Sequence, residues 1–184
     1  MTFIILHGIG GHAGIHWQQW LKVELQKRGH DVLMPNLPDS DHPDRAKWLD
    51  ITKNELSNIP PNGLVVIGHS LGVTTALDYI EQSDEAIYGL VSVAGFAHDY
   101  GADMNSYFLR TKQIDFKRIV KNVKHSVVFY GDNDPYVTQH ALAEVADGLN
   151  VNPHIIKNGG HLNAEAGFTS FPELLASIEN DILI

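Results

Sequence analysis

Six short apolar runs recur along the chain, at residues 2–7, 31–34, 64–68, 87–94, 126–130 and 153–156, and the segments between them carry helical spacings of apolar residues. Runs such as Leu64-Val65-Val66-Ile67 have no polar alternation, so the strands they predict are covered on both faces. Apolar strands alternating with amphipathic helices specify an α/β fold: a mostly parallel sheet of about six strands with helices on both sides. Trp17, Trp20, Leu21 and Leu25 share one helical face. Leu49, Thr52 and Leu56 share the next, which Pro60 and Pro61 terminate. Val73, Ala76, Leu77 and Ile80 make a third stripe; Leu142, Val145, Ala146 and Leu149 make a fourth, with Thr138 as its N-cap. Ser170-Phe171-Pro172-Glu173 reads as a capping box that opens the last helix.

Residues 95–113 break this rhythm. They hold Phe96, Tyr100, Tyr107 and Phe108 without strand or helix period, and predict a small cap over the C-terminal edge of the sheet, or else a loop wrapped on its own aromatics. No repeat or linker divides the 184 residues, so the whole chain, 1–184, is read as one domain.

Composition narrows the class. Thirteen Lys and Arg against 22 Asp and Glu leave a formal charge of −9, which repels nucleic acid backbones and anionic membrane surfaces. The absence of cysteine removes disulfides, thiolate metal sites and a cysteine nucleophile. The opening apolar run is too short for a signal segment and no later run is long enough to span a bilayer, so a cytoplasmic protein is the expectation. Eleven histidines raise the question of metal, but His7, His12 and His16 lie in a glycine-rich loop without an accompanying carboxylate, and no metal site is expected.

The chemistry concentrates at three strand ends. Gly68-His69-Ser70-Leu71-Gly72 stands between a buried strand and an amphipathic helix, the setting in which G-x-S-x-G forms a sharp turn that exposes its serine above the sheet. Ser70 is the candidate nucleophile, and Leu71 N–H at the helix start is a candidate oxyanion donor. A serine hydroxyl needs a neutral imidazole to take its proton, and the imidazole needs a carboxylate to hold its tautomer. Gly131-Asp132-Asn133-Asp134-Pro135 follows the fifth strand and Gly159-Gly160-His161 the sixth, which gives the order Ser, Asp, His. Asp134, further out along the loop and stiffened by Pro135, is the candidate acid; Asp132 is read as capping the turn. His161 is the candidate base. His69 is assigned to packing beside the elbow. Gly8-Ile9-Gly10-Gly11 ends the first strand, and Ile9 N–H, with Gly10 N–H second, is expected to complete the oxyanion hole. His16, Trp17, Phe96, Tyr100, Tyr107, Phe108, Tyr136 and Leu162 form the expected pocket, an aromatic set suited to a modest apolar acyl chain.

The chain resembles the small serine hydrolases related to retinoblastoma-binding protein 9. The likeness runs over essentially its whole length and rests on His7-Gly8 with Gly10-Gly11, His16-Trp17, Trp20-Leu21, Gly68-His69-Ser70-Leu71-Gly72, Asp132-Asn133-Asp134-Pro135, Val137, Gly159-Gly160-His161 and Asn163. It implies an α/β-hydrolase fold with Ser70, Asp134 and His161 as nucleophile, acid and base. A cysteine-containing motif for binding pocket proteins cannot exist here, so that role is not implied. The expected function is a cofactor-free carboxylesterase on small soluble acyl esters, with a minimal cap too small for long-chain interfacial substrates. A peptidase, amidase or thioesterase using the same triad, and a non-catalytic binding protein on the same fold, remain alternatives. Oligomeric state is not legible in the sequence.

Overall fold

Phe3 and Ile5 enter one apolar core while Ile4 and Leu6, between them, enter another, and this alternation across a doubly covered sheet organises the molecule. The computed structural model describes residues 1–184. Six strands, β1 (Thr2–Leu6), β2 (Asp31–Leu33), β3 (Leu64–His69), β4 (Ile87–Val93), β5 (Val123–Gly131) and β6 (His154–Ile156), form one sheet in the order β2-β1-β3-β4-β5-β6. Every pairing is parallel. Helices α1 (Gln18–Lys27), α2 (Arg45–Leu56), α3 (Leu71–Glu81), α4 (Ser106–Leu109), α5 (Phe116–Asn122), α6 (Gln139–Leu149) and α7 (Pro172–Ser177) fill the connections. Trp17, Leu21, Leu25 and Leu174 cover one face with Phe3, Ile5 and Ile67; Trp48, Leu77, Ile119 and Val145 cover the other with Ile4, Leu6 and Val66. No helix is long and apolar enough to cross a membrane.

From β1 the chain passes outward to β2 and then returns to β3 on the other side of β1. Loops leaving β1 and β3 therefore diverge, and a crevice opens at their C-terminal ends, where parallel α/β sheets hold ligands.

Two local expectations differ from the structure, and one helix has no counterpart in the sequence pattern. β5 begins at Val123 rather than at residue 126, because Val123 and His125 pair with Ile87 and Gly89 although Lys124 and His125 carry no apolar signal. Helix α5 had no visible periodicity because only Ile119 on it is buried; the Asp115 side chain starts it by accepting from the Lys117 and Arg118 N–H groups. The capping box at Ser170 does not form. Phe171, buried in the core, takes the N-cap position of α7, which pushes Ser170 outside the helix and puts Glu173 one position short of the reciprocal bond.

Candidate active site

Ser70 sits between β3 and α3 at φ 55° and ψ −126°, a conformation that costs about 1–3 kcal/mol and has to be imposed by its surroundings. Its N–H donates to Val93 O at 2.9 Å and its carbonyl accepts from Val73 N–H at 3.0 Å. The glycines of the motif are there for close approach: a Cβ on Gly68 would lie 2.6 Å from Val73 Cα, and one on Gly72 2.4 Å from Leu6 O. Gly8, just after β1, is there for the same reason: a Cβ on it would lie 2.8 Å from Ser70 Cβ.

His161 lies in the loop after β6, which the loop after β5 grips residue by residue. Asp132 Oδ1 accepts from Asn158 N–H at 2.7 Å and Asn133 Oδ1 from Gly160 N–H at 2.8 Å. Asp134 then reaches His161 itself, with Oδ2 2.7 Å from Nδ1, while Oδ1 accepts from Tyr136 and Val137 N–H at 2.9 and 3.0 Å. Its side chain is fully buried, so the carboxylate is fixed by three hydrogen bonds with no competing water. In the neutral ring this pairing places the proton on Nδ1 and turns the Nε2 lone pair away from Asp134. Ser70 and His161 line the same cleft; no hydrogen bond joins the two side chains here, and such bonds in apo sites lengthen or misalign until substrate is seated.

The surrounding histidines are neutral supports. His69 is buried, its desolvation holds it well below the ordinary histidine range, and His161 beside it adds to the effect. Its Nε2–H donates to His161 O at 3.0 Å. His7 is also lowered, mainly by burial; its Nδ1–H donates to Gly8 O and its Nε2 accepts from Leu37 N–H, each at 2.9 Å. His16, lowered by burial and then by His161, accepts from Ala164 N–H at 3.2 Å. Of the two N–H groups proposed after β1, Gly10's is already committed to Ser40 O at 2.7 Å, so it has no proton to offer an oxyanion. Ile9 lines the cleft.

A serine hydrolase family matches residues 3–180. The chain belongs to that family. This serine hydrolase is 27% identical over 170 residues to the hydrolase-named YdeN of Bacillus subtilis (strain 168), covering 91% of this chain and 89% of YdeN. It is 28% identical over 176 residues to serine hydrolase RBBP9 of Rattus norvegicus, covering 93% and 89%. The crystal structure of the ydeN gene product superposes with a TM-score of 0.90 at 26% identity over 97% of both chains. Est1E from Butyrivibrio proteoclasticus, solved with ferulic acid bound, shares the fold at a TM-score of 0.76 and 15% identity, over 100% of this chain and 90% of that one. The fold is that of the α/β-hydrolases.

The cleft of this serine hydrolase, about 320 Å³, is more polar than the aromatic pocket expected from the sequence. His16, Tyr100 and Tyr136 line it, but five of the expected residues do not. Trp17 is fully buried, with Nε1–H donating to Leu162 O at 2.9 Å, and Leu162 is buried with it. Phe96 packs edge-on beneath Tyr100, and Phe108 packs against Trp48 with the Arg45 guanidinium over its ring. Tyr107 stacks on His42 at 4.1 Å in a neighbouring depression. Aromatic content alone did not separate core from cleft. In place of these residues the cleft has Ile15, Met104, Asn105, Val137, Asn163 and Glu165, the last accepting from Tyr136 Oη–H at 2.9 Å. The Asn163 in the His161 loop was visible as part of the family resemblance; Met104 and Asn105 had no sequence signal.

Proposed function

We propose that this serine hydrolase is a carboxylesterase of small soluble acyl esters, with Ser70 as nucleophile, His161 as base and Asp134 as the carboxylate that orients it. The observation that carries the reading is the 2.7 Å contact of Asp134 Oδ2 with His161 Nδ1 beside a strained serine elbow on one cleft. Ser70 Oγ attacks the ester carbonyl while His161 Nε2 takes its proton. The Leu71 and Ile9 N–H groups receive the oxyanion; Leu71 is the first residue of α3, where the N–H has no acceptor within the helix. Collapse of the tetrahedral intermediate expels the alcohol, protonated by His161, and leaves acyl-Ser70. Water, deprotonated by His161, then attacks the acyl carbonyl and releases the carboxylic acid. The same proposal takes residues 1–184 as one catalytic domain working in the cytoplasm without a cofactor.

The charge of the cleft favours neutral esters over thioesters on polyanionic carriers. No Lys or Arg lines it, and Glu165 adds a carboxylate. The test is a panel of short-chain esters, acyl thioesters and aminoacyl amides assayed with the native chain and with Ser70→Ala. Ester turnover that is highest in the panel and lost in the variant supports the proposal; faster amide or thioester turnover reassigns the substrate class, and no turnover of any kind supports a binding protein.

A further inference from the structure

We propose that the cleft recognises a second, uncharged acceptor oxygen of its substrate, an ether or carbonyl oxygen beyond the scissile ester, through the Nε2–H of His16, an inference that rests on Ser70 being the nucleophile of the same cleft. His16 lies two residues before α1 and lines the cleft together with Ser70 and His161. Its ring is held from two sides. Nδ1 accepts from Ala164 N–H at 3.2 Å, and the ring packs edge-on against that of His69, with the centroids 5.3 Å apart. The backbone is held too, at φ 59°, a left-handed conformation that a residue with a Cβ keeps only where its surroundings impose it.

An Nδ1 that accepts a hydrogen bond carries no proton. Burial first, and then the neighbouring His161, outweigh the pull of Glu165 and keep the ring neutral, so its single proton is on Nε2. That N–H has no acceptor in the protein, and it is not sealed off from solvent. His16 lines no cavity but the catalytic cleft. The fold therefore presents a fixed, unspent donor beside the reacting groups. A substrate seated in the cleft expels the solvent that meets this donor; an oxygen in the same place restores the bond, whereas a methylene leaves the N–H unpaired. Charge narrows the partner further. No Lys or Arg lines the cleft to offset a carboxylate or phosphate, Glu165 opposes either, and an ammonium group has no lone pair to give.

The experiment compares kcat/KM, followed by acid release in a pH-stat, within two pairs of esters of equal length in which one methylene becomes an ether oxygen. Butyl propanoate against 2-methoxyethyl propanoate places the oxygen in the alcohol, and methyl pentanoate against methyl 3-methoxypropanoate places it in the acyl chain. In at least one pair the ether ester is expected to exceed its alkyl partner by about tenfold, the worth of one good hydrogen bond, and the pair that responds tells which side of the ester meets His16. His16→Asn is then expected to bring that ratio towards one. Asparagine tolerates the left-handed backbone, its Oδ1 can replace Nδ1 as the acceptor for Ala164 N–H, and nothing replaces the Nε2–H. A ring that only anchored the His161 loop would change all four esters alike, and an inductive effect of the ether oxygen would survive the substitution. Nitrogen-15 NMR of the imidazole in the native chain reads the tautomer without any variant and is expected to show the proton of His16 on Nε2. The opposite tautomer, ratios near one in both pairs, or a ratio that survives His16→Asn overturns the inference and leaves the esterase reading standing. Turnover of none of the four esters overturns both.

Discussion

His69 Nε2 lies 3.0 Å from the carbonyl oxygen of His161, so the residue before the serine of the elbow holds the backbone of the histidine proposed to activate that serine. The bond requires a proton on His69 Nε2, and burial, which outweighs the bond's own pull towards the charged ring, keeps His69 neutral as the Nε2–H tautomer.

Stability is therefore expected to fall in mild acid. The folded chain holds the His69 pKa below its unfolded value near 6.5, so the full contribution is present above that pH. Below it the unfolded chain takes a proton that the fold refuses, and stability drops by up to about 1.4 kcal/mol per pH unit for this group. His7 and His16 are shifted in the same direction. Thermal melts should be flat from pH 7 to 8 and decline from about 6.5 to 5, and His69→Asn should shallow the decline. An acid limb unchanged by the substitution would contradict this account.

The elbow stores strain that glycine would release. With Ser70 at φ 55°, Ser70→Gly is expected to raise stability by about 1 kcal/mol while Ser70→Ala gives no such gain, and both should lose ester hydrolysis. Chemical denaturation of the two variants makes the comparison, and equal stabilities would remove the strain argument.

The two loop aspartates separate by what they hold. Asp134→Asn should lower kcat by about 10³ to 10⁴ through loss of the correct His161 tautomer. Asp132→Asn touches only the bond to Asn158 N–H and should cost about 1 kcal/mol of stability with kcat little changed. Steady-state kinetics alongside melts distinguish them; a larger kcat loss at Asp132 would exchange the assignments.

Arg45 anchors the wall that carries Tyr100, Met104 and Asn105. It makes a buried two-pronged pair with Asp78 at 2.6 and 3.0 Å, and its Nη1 donates to the carbonyls of Phe108, Leu109 and Lys112. Arg45→Met leaves the Asp78 carboxylate buried with only Lys112 near it, and should cost about 3 kcal/mol or more in denaturant melts. A loss under about 1 kcal/mol would mean that the pair does not hold this segment.

The parts of the fold that were legible are those where local and long-range demands agree. Ser70 could be located because its glycines, the apolar strand before it and the amphipathic helix after it all require the same turn. Asp134 and His161 could be paired by chain order, since successive strands of a parallel sheet deliver their loops to one edge. The His69 to His161 bond could not be read, because neighbours on a tight elbow point apart and the partner is 92 residues away. Within residues 95–113 the sequence offers four aromatics of equal hydrophobic weight; Arg45 and Trp48, from a distant helix, decide that Phe108 turns inward while Tyr100 faces the cleft. Polar Asn105 carries no signal in the sequence for the same reason: its burial comes only with the fold.

Labelling with a fluorophosphonate followed by peptide mass mapping decides whether Ser70 is an activated nucleophile. Rapid, stoichiometric modification of Ser70 alone is expected, slowed strongly in Asp134→Asn and abolished in Ser70→Ala. Labelling at another residue, or undiminished labelling of Ser70→Ala, would contradict it.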